Sequence, residues 1–158
     1  MYKHILMPTD GSALSRQAVA SGMLFAKNLG ATVVGIHVIP LPQADRLEAW
    51  MHHDPHYAER RQALFEKFAD EYLSFVANRA QAQGVPYEGK KIKAKEPWQA
   101  IVKAAEQERC DLIYMASHGW KGDDADLPGS QTVKVLHYSK VPVLVHKPTR
   151  GRASTGNE

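Results

Sequence analysis

Two short segments combine residue types that can hold a polar or anionic ligand. The first, residues 8–12, reads Pro8-Thr9-Asp10-Gly11-Ser12 and follows a short apolar run. A carboxylate in this position can accept hydrogen bonds from a sugar or a base. The alternative is that Asp10 or Ser12 only caps the helix that follows. Taken alone, this first loop favours the cap.

The second segment, residues 117–129, is rich in glycine. Gly119, Gly122 and Gly129 allow the backbone to approach a ligand closely. Gly129-Ser130 stands at a predicted helix start, where free N–H groups and the helix dipole favour phosphate. Ser130 can add a hydroxyl donor. The alternative is a flexible crossover in which Ser130 serves only as an N-cap, and the residues of this second loop do not decide between the two.

The familiar phosphate-binding motifs are absent from the chain. It contains neither G-x-x-x-x-G-K-[ST] nor G-x-G-x-x-G, which argues against a conventional P-loop NTPase or a dinucleotide dehydrogenase. An enzyme that activates its substrate with ATP ranks last, because S-G-G-x-D-S and H-x-G-H are also missing. What the chain does contain is Ala116-x-x-Gly119, nine further residues, and then Gly129-Ser130.

Strands and helices alternate along the sequence. Apolar runs predict strands at residues 5–7, 31–39, 112–116 and 141–145, and a polar strand is expected from 85 to about 93. Helical periodicity predicts helices at 13–29, from 64 to Gly84, from Pro97 and from Gly129-Ser130, with a long loop over about 40–57. This alternation predicts an α/β fold with a parallel sheet and helices on both faces. Ligands in such sheets bind at the carboxyl ends of the strands, where both loops lie.

Three lysines and a proline indicate which strands form the sheet edges. Lys90, Lys91 and Lys93 would hinder pairing of the third predicted strand with another chain. Pro142 cannot donate a hydrogen bond to a neighbouring strand, so the last strand should also lie at an edge.

Length and composition indicate one globular domain. The 158 residues are 44% hydrophobic and 23% charged, which predicts a folded domain over 1–148 and a small, polar, disordered tail over 149–158. The net charge of +3 is spread along the chain, which gives little support to nucleic-acid binding.

Hydropathy and cysteine content indicate where the protein is located. No apolar run approaches the roughly 20 residues that span a bilayer, and the first residues show no signal-peptide pattern. The single cysteine, Cys110, cannot form an internal disulfide. We therefore expect a cytoplasmic protein without a membrane partner.

The spacing around the second loop closely resembles the universal stress protein family. Its nucleotide-binding members carry G-x-x-G, nine residues and then G-[ST]. Other segments resemble the family in the same order along the chain, namely residues 3–12, 35–39, 111–119 and 141–145. The resemblance implies a three-layer sandwich with a five-stranded sheet in the order 3-2-1-4-5. It also implies a homodimer paired through the last strand.

The resemblance further implies a site for ATP, ADP or AMP. Asp10 would contact the ribose or the adenine, and the backbone at Val38 would read the adenine edge. Met115 and Ala116 would flank the ribose. Pro8 and Thr9 would shape the first loop, while the phosphates would be surrounded by Gly119, Gly129, Ser130, Gln131 and Thr132.

Two departures from the family pattern bear on affinity. Ala116 replaces the first glycine of the motif, and its methyl group would weaken binding rather than abolish it. Residues 123–128 are acidic and would repel a triphosphate unless Mg²⁺ bridges the charges.

We expect a non-catalytic stress or signalling protein that acts through nucleotide occupancy, with slow hydrolysis not required. The alternative is a dimeric stress-associated protein of the same fold that no longer binds nucleotide.

Four other features carry less weight. His52, His53 and His56 lack a second cluster to complete a metal site, so we expect a solvated loop there. His118 is expected to shape the second loop rather than to act as an acid or base, and Cys110 to be a small buried side chain. Trp50 and Trp98 are expected to pack at helix ends, and Trp120 could lie on a nucleotide or on a partner subunit.

Overall fold

Five parallel strands form one sheet in the order β3-β2-β1-β4-β5. The computed structural model describes residues 1–41, 50–119 and 128–148. The strands are β1 (His4–Pro8), β2 (Thr32–Pro40), β3 (Tyr87–Ala94), β4 (Leu112–Ala116) and β5 (Val143–His146). The helices are α1 (Ala13–Leu29), α2 (Tyr57–Gln83), α3 (Pro97–Gln107) and α4 (Ser130–Tyr138). This is the predicted α/β fold with the strand order that the family resemblance implies.

Local signals explain where the helices begin and end. The Ser12 side chain caps α1 by accepting a hydrogen bond from the Ser15 amide at 3.2 Å. Both α1 and α2 stop at glycines in the left-handed conformation, Gly30 and Gly84. Pro97 occupies the first turn of α3, where its missing N–H costs no hydrogen bond.

Alternation along the strands divides the core between the two faces of the sheet. On one face, Ile5 and Met7 of β1 pack with the buried side of α1 and with Val76 of α2. On the other face, Leu6 packs in a second cluster that includes Ile101 of α3 and Val135 of α4. The helices therefore cover both faces, and the molecule has three layers.

The strand order reverses at β1, which lies between β2 and β4. β2 and β3 extend the sheet to one side, and β4 and β5 extend it to the other. The loop after β1 and the loop after β4 consequently leave neighbouring strands at the same edge of the sheet. This is the position at which open parallel sheets bind ligands.

Several sequence-based details require correction. β3 begins at Tyr87 and β5 at Val143, two residues later than predicted in each case. Trp50 was expected to pack, but it is 70% exposed. In α4, Val135 is buried, whereas Val133 and Leu136 are about half exposed.

Some expectations fall outside the described residues. These concern Gly122, Trp120, all but Pro128 of the acidic segment, and the tail over 149–158. Within the described ranges, none of the helices combines the length and apolar character required to cross a membrane.

Candidate functional site

Internal hydrogen bonds hold the first loop. The Thr9 amide donates to the Ile36 carbonyl at 2.9 Å, which joins the loop to β2. Thr9 Oγ1 lies 2.9 Å from Ser15 Oγ and accepts from the Gly11 amide at 3.3 Å. The Asp10 amide donates to Ser15 Oγ at 3.3 Å. Side chains within and just after the loop therefore satisfy its backbone, so its shape does not depend on a ligand.

The capping interpretation of this loop is confirmed for Ser12. Asp10 has a related local role, because its Oδ1 atom accepts from the Ser12 amide at 2.9 Å. A carboxylate offers about four lone-pair positions, so this bond is compatible with further contacts from a ligand. Asp10 is half-buried at the mouth of the loop. The cap and the ligand contact are therefore not exclusive alternatives for this residue.

Backbone contacts and one threonine hold the described part of the second loop. The Gly129 amide donates to the Ser117 carbonyl at 2.7 Å, and the Ser117 amide donates to the His146 carbonyl at 2.9 Å. Thr132 Oγ1 donates to the Ala116 carbonyl at 3.2 Å. The bonds of Gly129 and Thr132 hold the start of α4 against the end of β4, and the bond of Ser117 to His146 joins this end to β5.

The two loops meet at glycines. A Cβ atom on Gly119 would overlap Oδ2 of Asp10, so the carboxylate lies directly against the Gly119 backbone. A Cβ atom on Gly129 would lie 3.1 Å from Cβ and 3.2 Å from Cα of His118, which is tighter than an ordinary contact. Both glycines of the motif therefore lie in close contact with other protein atoms, Gly119 with Asp10 and Gly129 with His118.

The first turn of α4 begins beside this contact. Its N-cap residue is Gly129, so the alternative in which Ser130 is the N-cap is wrong, and Ser130 is the first helical residue. The first amides of a helix have no acceptor within the helix, and Gly129 has no side chain that could accept from them. These amides, with the positive end of the helix dipole, form a site suited to an anion.

Two predicted phosphate residues direct their side chains elsewhere. Oε1 of Gln131 accepts from the Trp98 amide at 3.0 Å, which ties α4 to the start of α3. Thr132 is buried, and its hydroxyl bonds to Ala116. The Thr132 hydroxyl and the Gln131 carbonyl oxygen are therefore already engaged, whereas Ser130 is exposed and can offer both its amide and its hydroxyl.

An apolar wall lies at the same edge of the sheet. Val38 is half-buried and packs against the cluster that contains the buried Met115. Ala116 is half-buried at the end of β4. The structure thus brings the predicted adenine and ribose residues to the carboxyl ends of β1, β2 and β4, next to the α4 N-terminus.

Sequence reasoning missed several residues that shape the first loop. Ser15 bonds to Thr9, and His37 Nδ1 lies 2.8 Å from the Thr9 carbonyl oxygen. Tyr72 contacts Gly11, and Arg16 Nε donates to the Gly11 carbonyl at 3.2 Å. The available signal was His37, since a polar residue within a buried strand requires a hydrogen-bond partner.

The other candidate residues do not form a second site in the described ranges. No group of three His, Cys, Asp or Glu side chains there has the arrangement of a metal site. His52 stacks on Tyr57, and His56 Nδ1 lies 3.2 Å from Glu59 Oε2. His118 Nδ1 lies 3.1 Å from Ser117 Oγ.

Cys110 is a small buried side chain, as expected. Only 4% of its surface is exposed, and burial raises the pKa of its thiol to about 12. The thiol is therefore protonated at neutral pH and is a poor nucleophile.

Comparison with known proteins agrees with this geometry. The model of the universal stress protein family matches residues 1–147. This chain belongs to the universal stress protein family. A universal stress protein of Methanocaldococcus jannaschii is 31% identical over 150 residues, which cover 93% of this chain and 83% of that protein.

Solved structures of universal stress proteins share the fold. Another M. jannaschii protein is 30% identical, with a TM-score of 0.71 and coverage of 95% of this chain and 99% of that chain. A universal stress protein solved in complex with cAMP is 24% identical, with a TM-score of 0.63 and coverage of 93% and 99%. At that identity the likeness establishes the fold alone.

Proposed function

We propose that this universal stress protein binds an adenine nucleotide at the carboxyl edge of its sheet. The observation that carries the proposal is the contact of Asp10 with Gly119 beside the first turn of α4. This arrangement brings a carboxylate for the sugar or base and helix amides for the phosphates to one place. Val38 and Met115 add the apolar surface that a purine requires.

Family membership supports the proposal independently of the geometry. The spacing from Gly119 to Gly129-Ser130 agrees with that of nucleotide-binding family members. The cAMP complex supports only the more general statement that this fold can hold an adenine nucleotide. Neither argument distinguishes ATP from ADP or AMP.

Occupancy, rather than turnover, is the proposed mode of action. A nucleotide that binds one conformation of the second loop better than another would shift the population toward it and alter the surface offered to a partner. We propose a role in stress response or signalling in the cytoplasm. A lone cysteine such as Cys110 stays reduced there. Slow hydrolysis is not required.

Calorimetric titration with ATP, ADP and AMP, each with and without Mg²⁺, tests the proposal. We expect saturable binding by the parent protein. Gly129→Asp should remove measurable binding, because it places a carboxylate where the phosphate would lie. Aspartate is a favourable N-cap, so the helix should remain intact.

Gly129→Ala is the matched control for steric effects. Its methyl group would press on His118 without adding charge, so its affinity should fall between those of the parent and Gly129→Asp. If Gly129→Asp binds as tightly as the parent, the phosphate assignment is wrong. If the parent binds none of the three nucleotides, the alternative of a family member that has lost nucleotide binding is favoured.

We also propose a homodimer paired through β5. This strand lies at the edge of the sheet, and its four residues are only half-buried. Val133, Leu136 and Tyr138 of α4 are about half exposed nearby in sequence. Sedimentation equilibrium should give a dimer, and Val145→Lys should shift it to a monomer. A parent protein that sediments as a monomer would contradict this assembly.

A further inference from the structure

We propose that His37 is a positioning residue for the nucleotide site, which it serves by holding the first loop against α2. The inference rests on the proposed function and extends it to residues behind the site. His37 lies on β2 and is 9% exposed. It stands between the Thr9 carbonyl on one side and the ring of Tyr72 on the other.

The hydrogen bond of His37 assigns its protonated nitrogen. The Nδ1 atom lies 2.8 Å from the Thr9 carbonyl oxygen, and a carbonyl oxygen can only accept a hydrogen bond. Nδ1 must therefore carry the proton, whether the ring is neutral or charged. The bond fixes the backbone immediately before Asp10.

Tyr72 holds the other side of the same loop. Its ring meets the His37 ring edge-on, with centroids 5.1 Å apart. The ring also lies so close to Gly11 that an added Cβ would overlap it. Gly11 has a φ of +76°, a conformation that other residues rarely adopt. One aromatic side chain of α2 therefore touches both the loop and the histidine that anchors it.

Arg16 provides a third contact between the loop and α2. Its Nε donates to the Gly11 carbonyl at 3.2 Å, and its guanidinium lies 5.3 Å from the centroid of the Phe75 ring. The carbonyls of Thr9 and Gly11 thus each accept from a side chain that also contacts an aromatic ring of α2. These contacts flank Asp10 on both sides in sequence and orient its carboxylate toward Gly119.

Two substitutions at His37 separate hydrogen bonding from packing. The amide nitrogen of asparagine occupies the same position along the side chain as Nδ1, so His37→Asn can still donate to Thr9. His37→Leu fills a similar volume and cannot donate. We expect His37→Leu to weaken nucleotide affinity roughly tenfold, as the loss of one ordering hydrogen bond would. His37→Asn should stay within about twofold of the parent, because the bond is retained.

Val33→Ala is the control for lost stability. Val33 is a buried residue near the amino end of the same strand, far from the loop. It should lower the free energy of unfolding in urea without changing nucleotide affinity. Equal affinities for His37→Leu and the parent would overturn the proposal. Equal weakening by His37→Leu and His37→Asn would overturn it as well, because donation to Thr9 would then not matter.

Two measurements on the nucleotide-free protein keep this test separate from the proposed function. A two-bond ¹⁵N–¹H correlation spectrum should show the proton of His37 on Nδ1. Amide exchange at Gly11 and Ser12 should be about tenfold faster in His37→Leu and unchanged in His37→Asn. If these results hold while the parent binds no nucleotide, the proposed function fails and the loop-holding role stands. A proton on Nε2 alone, or unchanged exchange in His37→Leu, would refute the role of His37.

Discussion

The two loops at the carboxyl edge of the sheet are held in different ways. In the first loop, side chains of the loop itself, of α1 and of β2 bond to the backbone of residues 9–12. In the described part of the second loop, one backbone bond and one threonine connect the end of β4 to the start of α4, and a second backbone bond connects Ser117 to β5. Gly119 and Gly129 add close contacts at the two described ends of this loop. The first loop is thus a platform supported by side chains, whereas the described ends of the second loop are held mainly by backbone bonds and by close contacts at glycines.

Gly11→Ala should have the largest effect on stability. It forces an alanine into a left-handed conformation and drives its methyl group into Tyr72. Strain and overpacking together should lower the free energy of unfolding by about 3 kcal/mol, measured in urea. A platform supported by side chains cannot relieve this clash by moving.

Gly84→Ala is the control for conformational strain. Gly84 has a similar φ of +67°, but no atom lies within 4 Å of the position that a Cβ would occupy. Gly84→Ala should lower the free energy of unfolding by only about 1 kcal/mol. Similar losses for Gly11→Ala and Gly84→Ala would mean that the first loop is not packed firmly on α2.

Gly119→Ala should affect binding more than stability. Its methyl group would displace the Asp10 carboxylate, which is the end of a side chain and can rotate away. We expect nucleotide affinity to fall about tenfold, equivalent to roughly 1.4 kcal/mol, with little change in unfolding. Gly30→Ala, at a glycine remote from the site with no atom within 4 Å, should leave affinity unchanged. If Gly119→Ala binds nucleotide as tightly as the parent, Asp10 does not contact the nucleotide.

The sequence was sufficient to predict the fold, and the placement of both loops at one edge of the sheet, because the deciding signals were local. Apolar runs, glycine stops and the Pro97 helix start each act within a few residues, and parallel topology then places the loops together. The family resemblance added the strand order. An error arose at Trp50, whose exposure depends on tertiary packing rather than on a local signal.

The support behind the first loop could not be predicted in the same way. The contact of Gly11 with Tyr72 joins residues 61 positions apart, and His37 reaches Thr9 across two strands. Glycine at position 11 is explained locally by its positive φ, so nothing in the sequence indicates the aromatic ring that also requires it. The hydrogen bond from the Trp98 amide to the Gln131 side chain likewise joins residues that are distant in sequence.

Ser12→Ala should lower the free energy of unfolding less than Gly11→Ala does. It removes the side chain that caps α1 but leaves the Ser12 amide bonded to Asp10. Loss of an N-cap of this kind costs about 1 kcal/mol of unfolding free energy, to be measured in urea. Ser12→Asp restores a capping oxygen and should recover most of that loss. No recovery would mean that the platform depends on the serine for something other than the cap.

Among the substitutions aimed at stability, Thr132→Val should cause the smallest loss of unfolding free energy. It tests the second loop directly. Valine preserves the shape of threonine and removes only the hydroxyl that donates to Ala116 at 3.2 Å. The Ala116 carbonyl lies at the half-buried end of β4, so the loss should be about 0.5–1 kcal/mol of unfolding free energy. Hydrogen exchange should increase at the start of α4 while remaining unchanged at Gly11 and Ser12. Faster exchange in both loops would show that they are one cooperative unit, which would remove the contrast between a platform supported by side chains and a loop held mainly by backbone bonds and glycine contacts.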